Sequence, residues 1–184
     1  MVIETDSDDD LLRRMLAGDE DAFTALYRRR QGAVYRFALH MTGSVVVAED
    51  VTQEVFLVLV EKGARFDASK GVLVSFMYGI ARNLVLRRLE KDRGTEPVLD
   101  DFATDEDVLG DLTRRETIEQ VRRAVLSLPP AYREAVVLCD LQDVSYQDAA
   151  GALDCPVGTV RSRLNRGRAM LGQKLRGKAA ASSL

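Results

Sequence analysis

The chain has 184 residues, 46% apolar and 30% charged, with a formal net charge of −3, which fits one soluble globular domain or two small ones. A single histidine, His40, and two cysteines, Cys139 and Cys155, support neither a zinc site nor a disulfide framework, so reduced, mostly buried thiols and no cofactor are expected. No stretch approaches the length of a membrane span, and the N-terminus carries acids where a secretory signal needs positive charge, which predicts a cytoplasmic protein with no membrane insertion.

Strand signals are nearly absent and helical periodicity with capping residues recurs, so the reading is all-α: two small helical domains joined by a flexible acidic linker. Residues 11–17, 19–42, 44–62 and 74–91 are expected as helices of an N-terminal domain, 1–93. The helix over 44–62 is apolar almost all round, with Val47, Val51, Val55, Val58 and Leu59 on one side and Phe56 and Val60 extending it. A polar stripe interrupts it. Asp50, Glu54 and Glu61 line up, with Gln53 beside them and Leu57 at the centre. Acids around an apolar anchor suit a protein-binding epitope; a solvated face is the alternative.

A loop over 64–71, containing Phe66, Asp67 and Lys70, leads into an aromatic and basic helix. There Phe76 and Tyr78 precede Arg82, Asn83, Arg87, Arg88 and Lys91. Such a mixture can stack on unpaired bases while neutralising their backbone, although core aromatics with solvated arginines fit the same pattern.

Residues 94–115 are acidic and poor in periodicity, as a linker is. Extended, those 22 residues would span roughly 75 Å, and as a free coil only about 25 Å. Two modules so joined reach well-separated targets only if a scaffold stretches the tether.

The C-terminal domain, 116–184, is expected to hold helices at 116–128 and 131–141, then two more around a tight turn at Asp154, Cys155 and Pro156. Ser145 is a good N-cap for the first of that pair. In the second, Val157, Val160, Leu164, Gly167 and Leu171 form an inward stripe. Base contacts are expected at Thr159, Arg161, Ser162, Asn165 and Arg166, with Arg163 and Arg168 flanking the stripe and reaching for phosphates. After Asp154 the chain has seven basic residues and no acid, so the electrostatic footprint is local despite the net negative charge. This is the outline of a DNA-reading helix-turn-helix.

Four segments, AEDVTQEVFL (48–57), YGIARN (78–83), LPPAYREAVVL (128–138) and SYQDAAGALDCPVGTVRSRLNRGRAML (145–171), together resemble the extracytoplasmic-function sigma factors of bacterial RNA polymerase, in that family's order and spacing. The resemblance implies that Asp50, Gln53, Glu54 and Leu57 meet the clamp helices of the polymerase's largest subunit, with a flap contact elsewhere. It implies that the loop from Phe66 through Asp67 to Lys70 holds a flipped base of the −10 element, that Phe76 substitutes for a tryptophan many members carry nearby, and that Arg82, Asn83, Arg87 and Arg88 track the melted strand. The C-terminal helix would read the −35 duplex through the major groove. An anti-sigma factor is the expected regulatory partner, because the tail after residue 175 is too short for an extra regulatory domain.

Two rival readings use the same features. A self-contained regulator would dimerise on a palindrome, yet neither sustained heptads nor a ligand domain is present in the pattern. A sigma-like adaptor or decoy would bind polymerase or regulators without opening promoters. An enzyme is least supported, with one histidine, no glycine-rich phosphate loop and no spaced acid cluster.

Overall fold

The computed structural model describes residues 6–91 and 112–181, the side chains of 112–115 and 177–181 excepted. The acidic segment assigned to a linker lies largely outside the described residues, but Leu112 to Arg115 already belong to a helix.

Helix α1 (Asp8–Leu16) is capped by Ser7, whose Oγ accepts from the Asp10 amide at 3.1 Å. Helix α2 (Glu20–Thr42) begins at Asp19, which accepts from the Ala22 amide, and ends at Gly43, whose φ of 73° favours a residue without Cβ. Helix α3 (Val45–Lys62) follows at once, capped by Ser44. One 3-10 turn (Gly63–Arg65) and a loop then lead to α4 (Leu73–Lys91). These caps satisfy the first orphan amides of α1, α2 and α3, which is why those boundaries fall where serine and aspartate stand.

The second module comprises α5 (Leu112–Leu126), α6 (Pro130–Val136), α7 (Tyr146–Leu153) and α8 (Val157–Ala181). The segment expected to continue as α-helix to residue 141 instead widens to a π-turn over Val137–Leu141. Asp154 closes α7 with φ of 48° and Ser145 caps its start, accepting from the Asp148 amide at 3.1 Å. The helix-turn-helix is thus built from local chemistry.

In the first module Leu26, Phe37, Met41, Leu59, Leu73 and Met77 are all buried to 1% exposure or less. Each such side chain contributes about 1.5–3 kcal/mol through its removal from water. Tyr78 joins them, 2% exposed with its ring 5.5 Å from that of Phe37. That settles the aromatic ambiguity of α4 in opposite senses for its two rings: Tyr78 is core, while Phe76 is only half-buried and faces Phe66 at 5.7 Å. Val60, expected to extend the apolar side of α3, is instead 51% exposed, on a helix that packs chiefly against α2 and α4.

The modules are not held apart. Helix α4 packs on α7, and α2 touches α5 and α6, so one cluster of buried side chains runs from Leu11 to Val160. Within the second module α8 lies against α6 so closely that a Cβ on Gly167 would stand 2.7 Å from Val136 Cγ2.

Candidate polymerase and nucleic-acid interfaces

The polar stripe of α3 is displayed outward. Asp50 and Gln53 are exposed, and Leu57 stands between them and Glu61 with 63% of its surface in solvent. An exposed leucine flanked by carboxylates, on a helix whose other faces hold Val51, Val55 and Leu59 in the core, is what an apolar anchor with a polar rim requires. Glu54 is half-buried because it receives a hydrogen bond of 2.8 Å from Arg88 on α4.

The loop before α4 is shaped by Asp67. Its Oδ1 accepts from the Ser69 amide at 3.0 Å and from the Ser69 hydroxyl at 2.6 Å. Those bonds, with the nearby Lys70 ammonium, hold the Asp67 carboxyl below its ordinary range. Around the loop lies a cleft of about 240 Å³ walled by Phe66 and Phe76, with Asp67 and Lys70 at its edge. Ser75 also lines it, 5% exposed and with its Oγ unpaired among the described residues. A neighbouring cleft of about 300 Å³ is lined by Phe76, Ile80, Arg82 and Asn83. Gly151 of α7 lines both, so the second module forms part of the wall.

The basic residues of α4 are divided among different tasks. Asn83 and Arg87 are exposed. Arg88 is engaged by Glu54, and Arg82 donates from Nε to Glu134 of α6 at 2.9 Å. Of the four residues expected to follow a strand, two are therefore held in internal ion pairs.

On α8 the inward stripe is as expected, with Val160 and Leu164 buried and Gly167 against α6. Ser162, Asn165 and Arg166 are exposed, Thr159 is half-buried, and Arg161 lies over the Tyr146 ring at 5.7 Å. Arg168 differs from a free phosphate contact: Asp140 on the π-turn takes both Nε and Nη2, at 3.0 and 2.6 Å. Arg163 also differs, pointing inward, half-buried, with Nη1 enclosed and without a hydrogen-bond partner among the described residues. Its charge acts on Glu134 of α6, drawing against the upward push of burial on that carboxyl.

The chain is 30% identical over 181 residues to the ECF RNA polymerase sigma factor SigW of Bacillus subtilis, covering 90% of this chain and 95% of that one. The chain belongs to the ECF RNA polymerase sigma factors. Residues 26–95 match the Sigma-70 region 2 family and residues 118–171 match Sigma-70, region 4. The fold is shared with CnrH, solved in complex with the cytosolic domain of CnrY, at 23% identity and a TM-score of 0.73 over 94% of this chain and 99% of that one. It is shared too with the sigma factor RpoE of Bartonella quintana, solved with the anti-sigma factor NepR, at 24% identity and 0.68 over 84% and 96%. A sigma factor directs RNA polymerase to specific promoters. Among the described residues no helix is long and apolar enough to cross a membrane.

Two residues of this sigma factor escaped the sequence reading. Arg133 donates to the backbone carbonyls of Leu126 and Leu128, and also to that of Met41 on α2. Glu134, next to it, is 1% exposed. A signal was present, since Glu134 shares a helical face with Leu138, where a carboxylate has no reason to be unless a cation awaits it.

Proposed function

We propose that this sigma factor binds core polymerase through Asp50, Gln53, Glu54 and Leu57, the clamp helices of the largest subunit being the partner surface. The exposed Leu57, 63% accessible amid acids on the outward face of α3, is the observation that carries this reading. The cleft between Phe66 and Phe76 then takes an unpaired base of the −10 element, with Asp67 and Lys70 at its rim and Arg82, Asn83, Arg87 and Arg88 following the strand; stacking of that kind is worth about 1–3 kcal/mol per base. Helix α8 reads the −35 duplex, using Thr159, Arg161, Ser162, Asn165 and Arg166 on bases and Arg168 on phosphate. The division into 1–93 and 116–184 follows the same lines, with the start of the second module moved back to Leu112, where α5 begins.

The protein has no chemistry of its own in this scheme and acts in the cytoplasm with the polymerase. Its regulator is an anti-sigma factor, as NepR is for RpoE of Bartonella quintana. Run-off transcription with purified core polymerase on a randomised promoter library, with and without the protein, tests the whole reading. Enrichment of a two-part promoter is expected. Core binding without promoter enrichment would mean an adaptor, and tight binding to a palindrome without core binding would mean a self-contained regulator.

A further inference from the structure

The reading of α4 as a strand-following surface meets a contradiction in the packing. Arg82 is engaged by Glu134 from the other module, and the side chains of that pair are 23% and 2% exposed. Beside it, Gly79 of α4 lies close enough to α7 that an added Cβ would stand 3.5 Å from the Ala152 carbonyl oxygen. Asp154 and Ala152 line the cleft that Arg82 and Asn83 would offer to DNA, and Gly151 lines the one holding Phe66 and Phe76. One step along the chain, Arg133 reaches to the Met41 carbonyl of α2. Adjacent residues of α6 therefore grip the first module twice, one as acceptor and one as donor.

We infer that Arg133 and Glu134 form a clasp that keeps the free protein closed, with the Glu134 carboxylate occupying the Arg82 guanidinium in place of a DNA phosphate. The inference rests on the proposed role of α4 in binding unpaired DNA. Carboxylate and phosphate use the same planar donor fork of arginine, so one displaces the other. A buried carboxylate stripped of its cation would oppose opening strongly. This chain has a replacement at hand: Arg163 of α8, with its enclosed and unpaired Nη1, exerts its charge on Glu134 together with Arg82 and Arg133. On opening, Glu134 passes from Arg82 to Arg163, which leaves Arg82 for DNA and keeps Arg163 within its own module as a positioning residue between α8 and α6. Two alternative partners for one carboxylate make the closed and open forms close in free energy, as a two-state element needs.

The test uses the full chain in three forms, wild type, Glu134→Gln and Gly79→Phe. The first substitution removes the charge that holds Arg82, and the second inserts a ring between α4 and α7 while leaving Arg133 and Glu134 themselves unchanged. Each is followed by small-angle scattering and by anisotropy of a short fluorescein-labelled single-stranded DNA of randomised sequence. Both variants are expected to have a larger radius of gyration, and Glu134→Gln to bind the single strand about tenfold more tightly, which corresponds to a free protein closed about nine times in ten. Unfolding curves and duplex binding separate an opened variant from a misfolded one, and Gly79→Phe reports on closure independently of the Glu134 environment. Unchanged dimensions and unchanged single-strand affinity in folded variants would overturn the clasp. Promoter-directed run-off with core polymerase, run on the wild type in parallel, fails only if the sigma reading itself fails.

Discussion

Arg88 Nη2 lies 2.8 Å from Glu54 Oε2, so a residue proposed to follow DNA is paired with one proposed to meet polymerase. The two side chains are 29% and 40% exposed, and a pair so wetted contributes only about 0–1 kcal/mol to stability. Its influence is on position. Glu54→Lys is expected to weaken core-polymerase binding at least about tenfold, equivalent to about 1.4 kcal/mol, with little change in the unfolding midpoint. Leu57→Ala should weaken it without altering charge. Anisotropy titration of labelled protein with core checks both, and wild-type affinity in the two variants would remove the α3 stripe from the interface.

Asp140 restrains Arg168 by two hydrogen bonds at the edge of α8. Releasing it with Asp140→Asn frees one cation and removes one nearby anion. Duplex binding by the full chain should become stronger for all sequences alike, and the slope of log K against log salt should steepen by about one. Arg161→Ala or Arg166→Ala should instead cost about 1–3 kcal/mol at particular base pairs if they make bidentate contacts. Competition binding over a range of salt concentrations distinguishes the two behaviours.

Gly167 marks where α8 crosses α6. An alanine there brings its Cβ to 2.7 Å from Val136 Cγ2 and 3.3 Å from the Tyr132 carbonyl oxygen, and relief requires the helices to part. Gly167→Ala is expected to destabilise the protein by about 1–3 kcal/mol, as overpacking does, despite alanine's better helix propensity. Urea unfolding followed by far-UV circular dichroism measures it; a stabilised variant would refute the close approach.

His40 is driven to a pKa of about 4 by burial, with the charges of Arg122 on α5 and Arg36 on α2 adding to the effect. The unfolded chain takes up this proton near pH 6.5, so the histidine's contribution is fully present above that pH and is lost as pH falls toward about 4. The loss is at most about 3 kcal/mol. Glu134 works the other way, because burial pushes its carboxyl up against the pull of Arg82, Arg163 and Arg133. Comparing His40→Gln with wild type isolates the histidine: the variant should show a shallower decline of unfolding free energy between pH 6.5 and 4. Parallel declines would mean that His40 protonates freely in the folded state.

The helices were legible because their signals are local. Ser145 caps the helix its position predicts, Ser44 stands at the start of the helix expected from 44, and Asp154 turns the chain where the pattern breaks. The stripe of Asp50, Gln53 and Leu57 was legible too, since a polar row on an apolar helix is a matter of period. What was hidden depends on partners remote in sequence. Whether Phe76 or Tyr78 enters the core depends on where α2 places Phe37, and the fates of Arg82 and Glu134 are joined across 52 positions. Arg163 and Arg168 look alike in sequence, yet one faces inward and the other meets Asp140 on a π-turn that no simple period announces.

The grip of Arg133 on α2 falls on a main-chain oxygen at Met41, one of the carbonyls a helix leaves unmet in its last turn. Every amino acid supplies that atom. Exchanges at position 41 can therefore alter the core around the methionine side chain while the handhold itself passes unchanged from one sequence to the next. Heredity of this fastening rests on one codon rather than two, and comparing the two positions across relatives would show no compensating pairs, however firmly the two modules are joined there.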